Sequence, residues 1–310
     1  MMKLWFFLQL IRWKNLVILA TTLLILKFGF INIFTENETL DIFRFFILLM
    51  SMVLISAAGY IINDIQDIET DRINKPDKVF VGTVFTMKQS YSWYLILNFL
   101  GVLLGFYIAN YLQKPIFSSV FIIVSFLLYY YSITFKKWPL IGNIVIGLLV
   151  SLSILTLAFF DLILNAKTDD LGFHYLLFEL IFEFSIFAFM LNFIREIVKD
   201  IEDVPGDKLM QMKTLPILIG LKYSKLIIGF LTLILIIALT YFIISYLPFH
   251  TILFYYFIIF ITLPLLYFEF KLYHSATKSD FDYLSKILKF CMLTGIISIL
   301  LISLTLKNVF

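Results

Sequence analysis

Charge is scarce in this 310-residue chain: 15% of its residues are Asp, Glu, Lys or Arg, whereas 62% are apolar. A soluble domain carries about 25% charged and roughly 45–50% apolar residues, so the deficit excludes an ordinary water-soluble enzyme, a disordered protein and a nucleic-acid-binding protein. Cysteine is scarcer still. The single Cys291 excludes a disulfide framework and a Cys-based metal site. Proline is nearly absent from the long apolar runs, with Pro264 the clearest exception. The first residues resemble a secretory signal only loosely. In MMKLWFFLQLIRWKN the apolar stretch is short, Arg12 and Lys14 follow it, and no small-residue cleavage site appears. Residues 1–15 therefore read as a retained interfacial amphipathic segment.

Long apolar runs fill the rest. About 20 apolar residues at roughly 1.5 Å each cross a hydrocarbon core, and such runs occur near 16–34, 42–62, 91–112, 116–135, 139–160, 174–194, 224–247, 251–268 and 287–306. Backbone polar groups in lipid must be satisfied within the segment, so continuous runs of this length are helices rather than barrel strands. The fold class is an all-α membrane protein, a single integral-membrane domain over 1–310. The 36 Phe and 17 Tyr supply aromatic bulk suited to lipid-facing helices.

The basic residues alternate between the connecting segments. Lys3, Arg12 and Lys14 precede the first run; Arg72, Lys75, Lys78 and Lys88 follow the second, and Lys136 and Lys137 the fourth. Arg195, Lys199, Lys208, Lys213, Lys222 and Lys225 follow the sixth, and Lys271, Lys278, Lys286 and Lys289 the eighth. Only Lys27, Arg44, Lys114, Lys167 and Lys307 fall in or near the other side. Positive charge stays inside, so the N-terminus and the loops 63–90 and 195–223 are expected on the cytoplasmic face of the cytoplasmic membrane.

Two of those loops hold nearly half of the 21 acidic residues. The first reads NDIQDIETDRINKPDK from Asn63 and the second REIVKDIEDVPGDK from Arg195. Asp64, Asp67 and Asp71 are spaced by three and then four, and Asp200, Asp203 and Asp207 repeat the pattern. On a helix this stacks like charges on one face, which is destabilising without a cation among them. A single such cluster would pass as a solvated loop. Two with equal spacing, each at the end of an apolar run and interleaved with Arg and Lys, suit Mg²⁺ held by carboxylates and substrate phosphate oxygens. Diphosphate leaves readily once its charge is neutralised, and a polyprenyl diphosphate would place its head at the interface and its tail between helices.

These residues carry a resemblance. The chain resembles the UbiA-type intramembrane prenyltransferases, whose first motif, NDxxDxxxD, is met by Asn63, Asp64, Asp67 and Asp71, and whose second corresponds to Asp200, Asp203 and Asp207. The likeness covers essentially the whole chain and implies a nine-transmembrane-helix bundle of that type. It also implies Mg²⁺ bound through Asn63, Asp64, Asp67, Asp71, Asp200, Asp203 and Asp207, with Asp67, Asp71, Asp200, Asp203 and Tyr131 catalytic. Tyr131 and Lys136, in YSITFKK, resemble a Tyr near the allylic bond and a Lys near phosphate; Asn15 resembles a position at the pocket edge. Arg72, Arg195 and Lys199 flank the aspartates and are expected to contact phosphate.

INKPDK, REIVKDIEDVPGD and TLPILIG look most like the archaeal-type digeranylgeranylglyceryl phosphate synthases. That subgroup implies transfer from a geranylgeranyl-like diphosphate to the hydroxyl of a prenylglyceryl phosphate. An aromatic acceptor such as 4-hydroxybenzoate is the alternative, and a secondary transporter a remote one, because transporters place binding groups near the midplane whereas these acids lie at the membrane edge. The chain departs from the family pattern in two places: Lys78 stands for the usual Arg without the Pro that follows it, and Gln211 for a common Gly. Lys27, Glu179 and Glu183 inside the runs need partners, and Lys27 is expected to pair with Glu183.

Overall fold

The computed structural model describes residues 2–35, 39–164, 171–246 and 250–307; Lys167 and the end of the run at 247 lie outside them. Eleven helices organise the described chain: α1 (Met2–Leu10), α2 (Trp13–Phe34) and α3 (Ile42–Gln66), α4 (Ile68–Asn74), α5 (Met87–Tyr111), α6 (Pro115–Ile133) and α7 (Ile141–Ile163), α8 (Leu171–Leu209), α9 (Leu215–Tyr246), α10 (Thr251–His274) and α11 (Lys278–Leu306). All but α1 and α4 are long and apolar enough to cross a membrane, nine among the described residues, at the nine places read from the sequence.

Helix starts follow local chemistry. Asp41 accepts from the Arg44 backbone N–H at the start of α3, and Thr86 with Gln89 and Thr277 with Asp280 form reciprocal capping boxes at α5 and α11. Each satisfies amide donors that a helix start leaves without intrahelical partners.

Helix α8 is the spine, packing on α7, α9 and α11, while α3 packs on α2, α5 and α6, and α2 meets α11 to close the bundle. Close approach of α3 and α5 requires Gly101: a Cβ there would meet Ile55 at 2.6 Å, and Ser51 Oγ donates to the Gly101 carbonyl at 2.7 Å. Small residues let backbones touch where lipid gives no hydrophobic drive for helices to associate. Leu10 of α1 packs beside Ile61, Ile62 and Ile65 of α3 and Val81 and Phe85 of the following turn, which ties the N-terminal segment to the motif end of the bundle.

The structure corrects two expectations here. Segments 63–90 and 195–223 are only partly loops: the first motif runs from α3 into α4, and the second lies wholly inside α8, which continues to Leu209. Residues such as Arg, Glu, Lys and Ile propagate a helix whether or not lipid surrounds them, so the end of the apolar run is not the end of the helix. The buried Lys27 pairs with Asp161, not Glu183: Lys27 Nζ lies 2.8 Å from Asp161 Oδ2, with both side chains fully inaccessible, and also donates to the Leu40 carbonyl at 2.8 Å. Asp161 lies just past the apolar run that was bounded at 160, because a π-helical turn, Phe159–Ile163, prolongs α7.

Candidate active site

The first motif sits at a break. Asp67 separates α3 from α4 with φ −97° and ψ 5°, the sparsely populated bridge region in which many active-site residues are found. Its carboxylate accepts from Asn63 Nδ2 at 2.8 Å and from Lys136 Nζ, which reaches across from the turn after α6. Asp64, one helical turn before, accepts from Arg12 at 3.0 Å. Arg12 occupies the joint between α1 and α2 with φ +51°, a left-handed conformation that costs a non-glycine residue strain, and its guanidinium also lies 5.0 Å from the Tyr60 ring centroid. Burial, with the neighbouring Asp67 and Asp64 charges, raises the Asp71 carboxyl to about 6, the mark of carboxylates crowded together.

The second motif faces the first. Lys75, just after α4, donates to Asp203 Oδ2 at 2.7 Å. Burial works against the Lys75 ammonium, but the Asp203 charge and hydrogen bond outweigh it and keep its pKa above the ordinary value. Asn74 fastens the same joint: its Nδ2 donates to the Asp203 carbonyl at 2.9 Å, its Oδ1 accepts from Gly206 N–H at 2.9 Å, and its own carbonyl accepts from Lys278 at 2.7 Å. These bonds reach α8 on either side of Pro205, so a side chain at the end of α4 fastens the first motif's helix to the second motif. A Cβ on Gly206 would lie 2.5 Å from Asn74 Nδ2. Gly206→Ala is therefore expected to destabilise the protein by about 1–3 kcal/mol and to lower activity by parting the motifs. A thermal melt and an initial-rate measurement check both effects, and an unchanged melt would show that Asn74 yields freely.

Asn143 of α7 holds Asp200, donating to Oδ2 at 2.8 Å. Arg195 and Lys199 flank Glu196 at 3.5 and 2.5 Å. The motifs lie next to a cavity of 330 Å³ whose walls come from α2, α3, α6, α7, α8 and α11, and Asn63 is the motif residue that lines it. Its mouth includes Arg12, Asn15, Asn63, Tyr131, Arg195 and Lys199. Its interior is apolar, lined by residues such as Phe121, Val124, Leu149, Phe184 and Ile299.

Asn15, Asn63, Tyr131, Lys136, Arg195, Lys199 and the six aspartates thus gather at one end, as expected from their positions. Arg72 does not join them. It pairs with Glu69 at 2.8 Å on the exposed side of α4, with 57% of its side chain accessible, because one residue beyond Asp71 turns about 100° around the helix. Asp64, expected as a metal ligand, accepts from Arg12 through Oδ1. Arg12, Asn74, Lys75, Asn143 and Glu196 were not recognised from the sequence. The first and third counted only toward topology, and no local pattern distinguishes Asn143 or Asn74 from commonplace interfacial amides. Gln211, the departure from the family pattern, has φ +54°, the conformation that favours glycine, so a tight turn explains why Gly is usual there.

Among the described residues, no three His, Cys, Asp or Glu side chains converge into a ready-made metal cage; Arg12, Lys136 and Lys75 interleave with the carboxylates. The donor set nevertheless fits a hard divalent cation. Asn63 Oδ1 from the first motif and Asp203 Oδ1 from the second are buried acceptors with no hydrogen-bond donor among the described residues, and buried oxygens left in that state call for a ligand.

The sequence profile described as the UbiA prenyltransferase family matches residues 14–300. This chain belongs to the UbiA prenyltransferase family. Its relatives include the digeranylgeranylglyceryl phosphate synthase of Saccharolobus solfataricus, 33% identical over 83% of this chain and 85% of that one. Other curated synthases of that name align over 58, 61 and 64% of their own length, so against those relatives the matched part of this chain spans less than two thirds of theirs. A solved structure concerning digeranylgeranylglyceryl phosphate synthase in membranes superposes with a TM-score of 0.65 at 27% identity, covering 98% of this chain and all of the other. A UbiA homolog from Archaeoglobus fulgidus bound to DMAPP and Mg²⁺ superposes with a TM-score of 0.60 at 17% identity, covering 94 and 98%, which establishes the common fold. The nine-helix bundle of this integral membrane family is thus the fold of this chain.

Proposed function

We propose that this UbiA-family chain is a Mg²⁺-dependent prenyltransferase that passes the prenyl group of a geranylgeranyl-like diphosphate to the hydroxyl of a prenylglyceryl phosphate, forming an ether lipid. One observation carries the reading: two aspartate motifs, clasped together by Asn74 and Lys75, face each other next to the polar mouth of an apolar cavity that Asn63 of the first motif helps to line. That arrangement accommodates a charged head and a hydrocarbon tail in one substrate. The relatives named digeranylgeranylglyceryl phosphate synthase support a prenylglyceryl phosphate as the acceptor. The excess of Lys and Arg at this end supports a cytoplasmic orientation of the site.

Asn63, Asp67, Asp71, Asp200, Asp203 and Asp207 are the residues that would hold metal, while Asp64 orients Arg12 toward the diphosphate. Bound Mg²⁺ supplies charge neutralisation to the departing diphosphate. Lys136, Lys75 and Arg12, each resting on an aspartate, add fixed positive charge beside the same leaving group. The allylic carbon–oxygen bond breaks with its electron pair leaving on diphosphate. The acceptor hydroxyl oxygen then bonds to the allylic carbon and releases its proton. The Tyr131 ring, in the cavity wall between the two motifs, supplies a π face to the developing allylic cation. The apolar walls keep competing water out.

The test offers purified enzyme geranylgeranyl diphosphate with either geranylgeranylglyceryl phosphate or 4-hydroxybenzoate, with and without chelator. Ether product from the phosphate acceptor alone, lost with EDTA and restored by Mg²⁺, is the expected result. Product only from the aromatic acceptor would reassign the acceptor, and chelator-insensitive turnover would overturn the metal role.

A further inference from the structure

The mouth of the cavity has two electrostatically unlike halves. Toward α3–α4 three cations rest on aspartates, Arg12 on Asp64, Lys136 on Asp67 and Lys75 on Asp203, and Asp71, Asp200 and Asp207 add further negative charge to the motifs. On the α2–α8–α11 side the balance reverses. Arg195, Lys199 and Lys289 line the cavity there with a single carboxylate, Glu196, between the first two, and Lys14 and Arg195 both lie near enough to Lys289 to repel it. Among the described residues neither Lys14 nor Lys289 forms an ion pair. Lys289 Nζ is held by a neutral group alone, donating to Asn15 Oδ1 at 3.2 Å, and the buried Arg195 Nε has no acceptor.

A partly buried ammonium without a counter-ion is costly, and one poised on a neutral amide with an unfilled guanidinium donor nearby is arranged for an anion that arrives with substrate. The diphosphate already has its own cations on the opposite side. We infer that Lys289, with Arg195 and oriented by Asn15, forms a separate cradle for the phosphate monoester of the acceptor, so that donor and acceptor phosphates occupy opposite halves of one mouth. This rests on the prenylglyceryl phosphate reading and extends it to particular residues. Two separated anion sites also keep the like-charged substrates apart while their reacting atoms meet at the cavity wall near Tyr131.

The test measures KM for geranylgeranylglyceryl phosphate and for geranylgeranyl diphosphate in the full-length enzyme and in Lys289→Gln, Lys289→Arg and Asn15→Asp. Losing one charge-assisted contact is expected to raise the acceptor KM about tenfold or more, with the donor KM within about twofold and Lys289→Arg restoring most of the loss. Asn15→Asp changes shape minimally and neutralises Lys289 in place, so it shows the same selective rise even if Lys289→Gln folds poorly. An unchanged acceptor KM in both variants, or a donor KM that rises as much, overturns the cradle. Wild-type enzyme without product from the phosphate acceptor would instead overturn the functional reading, so the two failures are distinguishable.

Discussion

Asp67→Ala is expected to reduce prenyl transfer on the order of 10³-fold, the scale seen when a preorganised electrostatic group is removed from a site where charge develops. Asp67 is unusual among the six aspartates because it does three things at once. It breaks α3 from α4, it accepts from Asn63, and it holds Lys136 across the mouth. Without it the proposed metal loses an oxygen ligand and Lys136 loses the anchor that aims it at phosphate. Asp67→Asn separates the effects: the amide keeps the size and one acceptor oxygen but not the charge. Its melt is expected to stay near wild type while activity falls almost as far. Activity in Asp67→Asn that matches wild type would end the metal assignment at this residue, whatever Asp67→Ala did to folding.

Lys27→Met is expected to destabilise the bundle by about 3–5 kcal/mol, because it takes the Lys27 cation away from a buried carboxylate. Lys27 and Asp161 are both wholly inaccessible, both lie in π-helical turns, and Asp161 also accepts from the Leu40 N–H at 3.0 Å. The pair joins α2 to α7 and to the chain entering α3. It lies fifteen residues along α2 from Arg12, about 22 Å by helical rise, so it belongs to the end opposite the motifs. Asp161→Asn keeps the acceptor for Leu40 while removing the charge, and Lys27→Met with Asp161→Asn is expected to be more stable than the sum of the single losses predicts. Unfolding midpoints in mixed micelles measure the cycle; strictly additive losses would show that the two charges are not coupled. Neither residue lines the cavity, so the folded fraction of each variant should keep wild-type KM values.

Much of the site was legible because its chemistry demands particular residue types at helical spacing. Asp64, Asp67 and Asp71, and Asp200, Asp203 and Asp207, repeat a three-and-four interval that is hard to reconcile with random solvated charge. Arg72 shows where such reasoning stops. Adjacency to Asp71 in sequence suggested a phosphate contact, but a helix turns neighbours to different faces, and Arg72 ends in an exposed pair with Glu69. Asp161 shows a second limit. Nothing in its surroundings marks it as the partner of Lys27, since the two are separated by several spans and the choice between Asp161 and Glu183 depends on how α2, α7 and α8 rotate against one another. Asn74 is a third case: its value lies in bonding the Asp203 carbonyl and the Gly206 N–H of a distant helix, and an amide at the end of a short helix carries no signal of that.

The sequence by itself determined the solvent, the number of membrane spans, the alternation of the connecting segments and the residues that carry the proposed metal chemistry. Each of these depends on length, polarity and local spacing, which lipid and helix geometry convert directly into structure. The tertiary structure alone decided which cation meets which carboxylate, that the second motif continues a helix instead of forming a loop, and that Lys289 rests on a neutral amide. Those outcomes follow from the rotation and approach of helices far apart in the chain. They are fixed by close packing at positions such as Gly101 and Gly206, and no one-dimensional pattern records them.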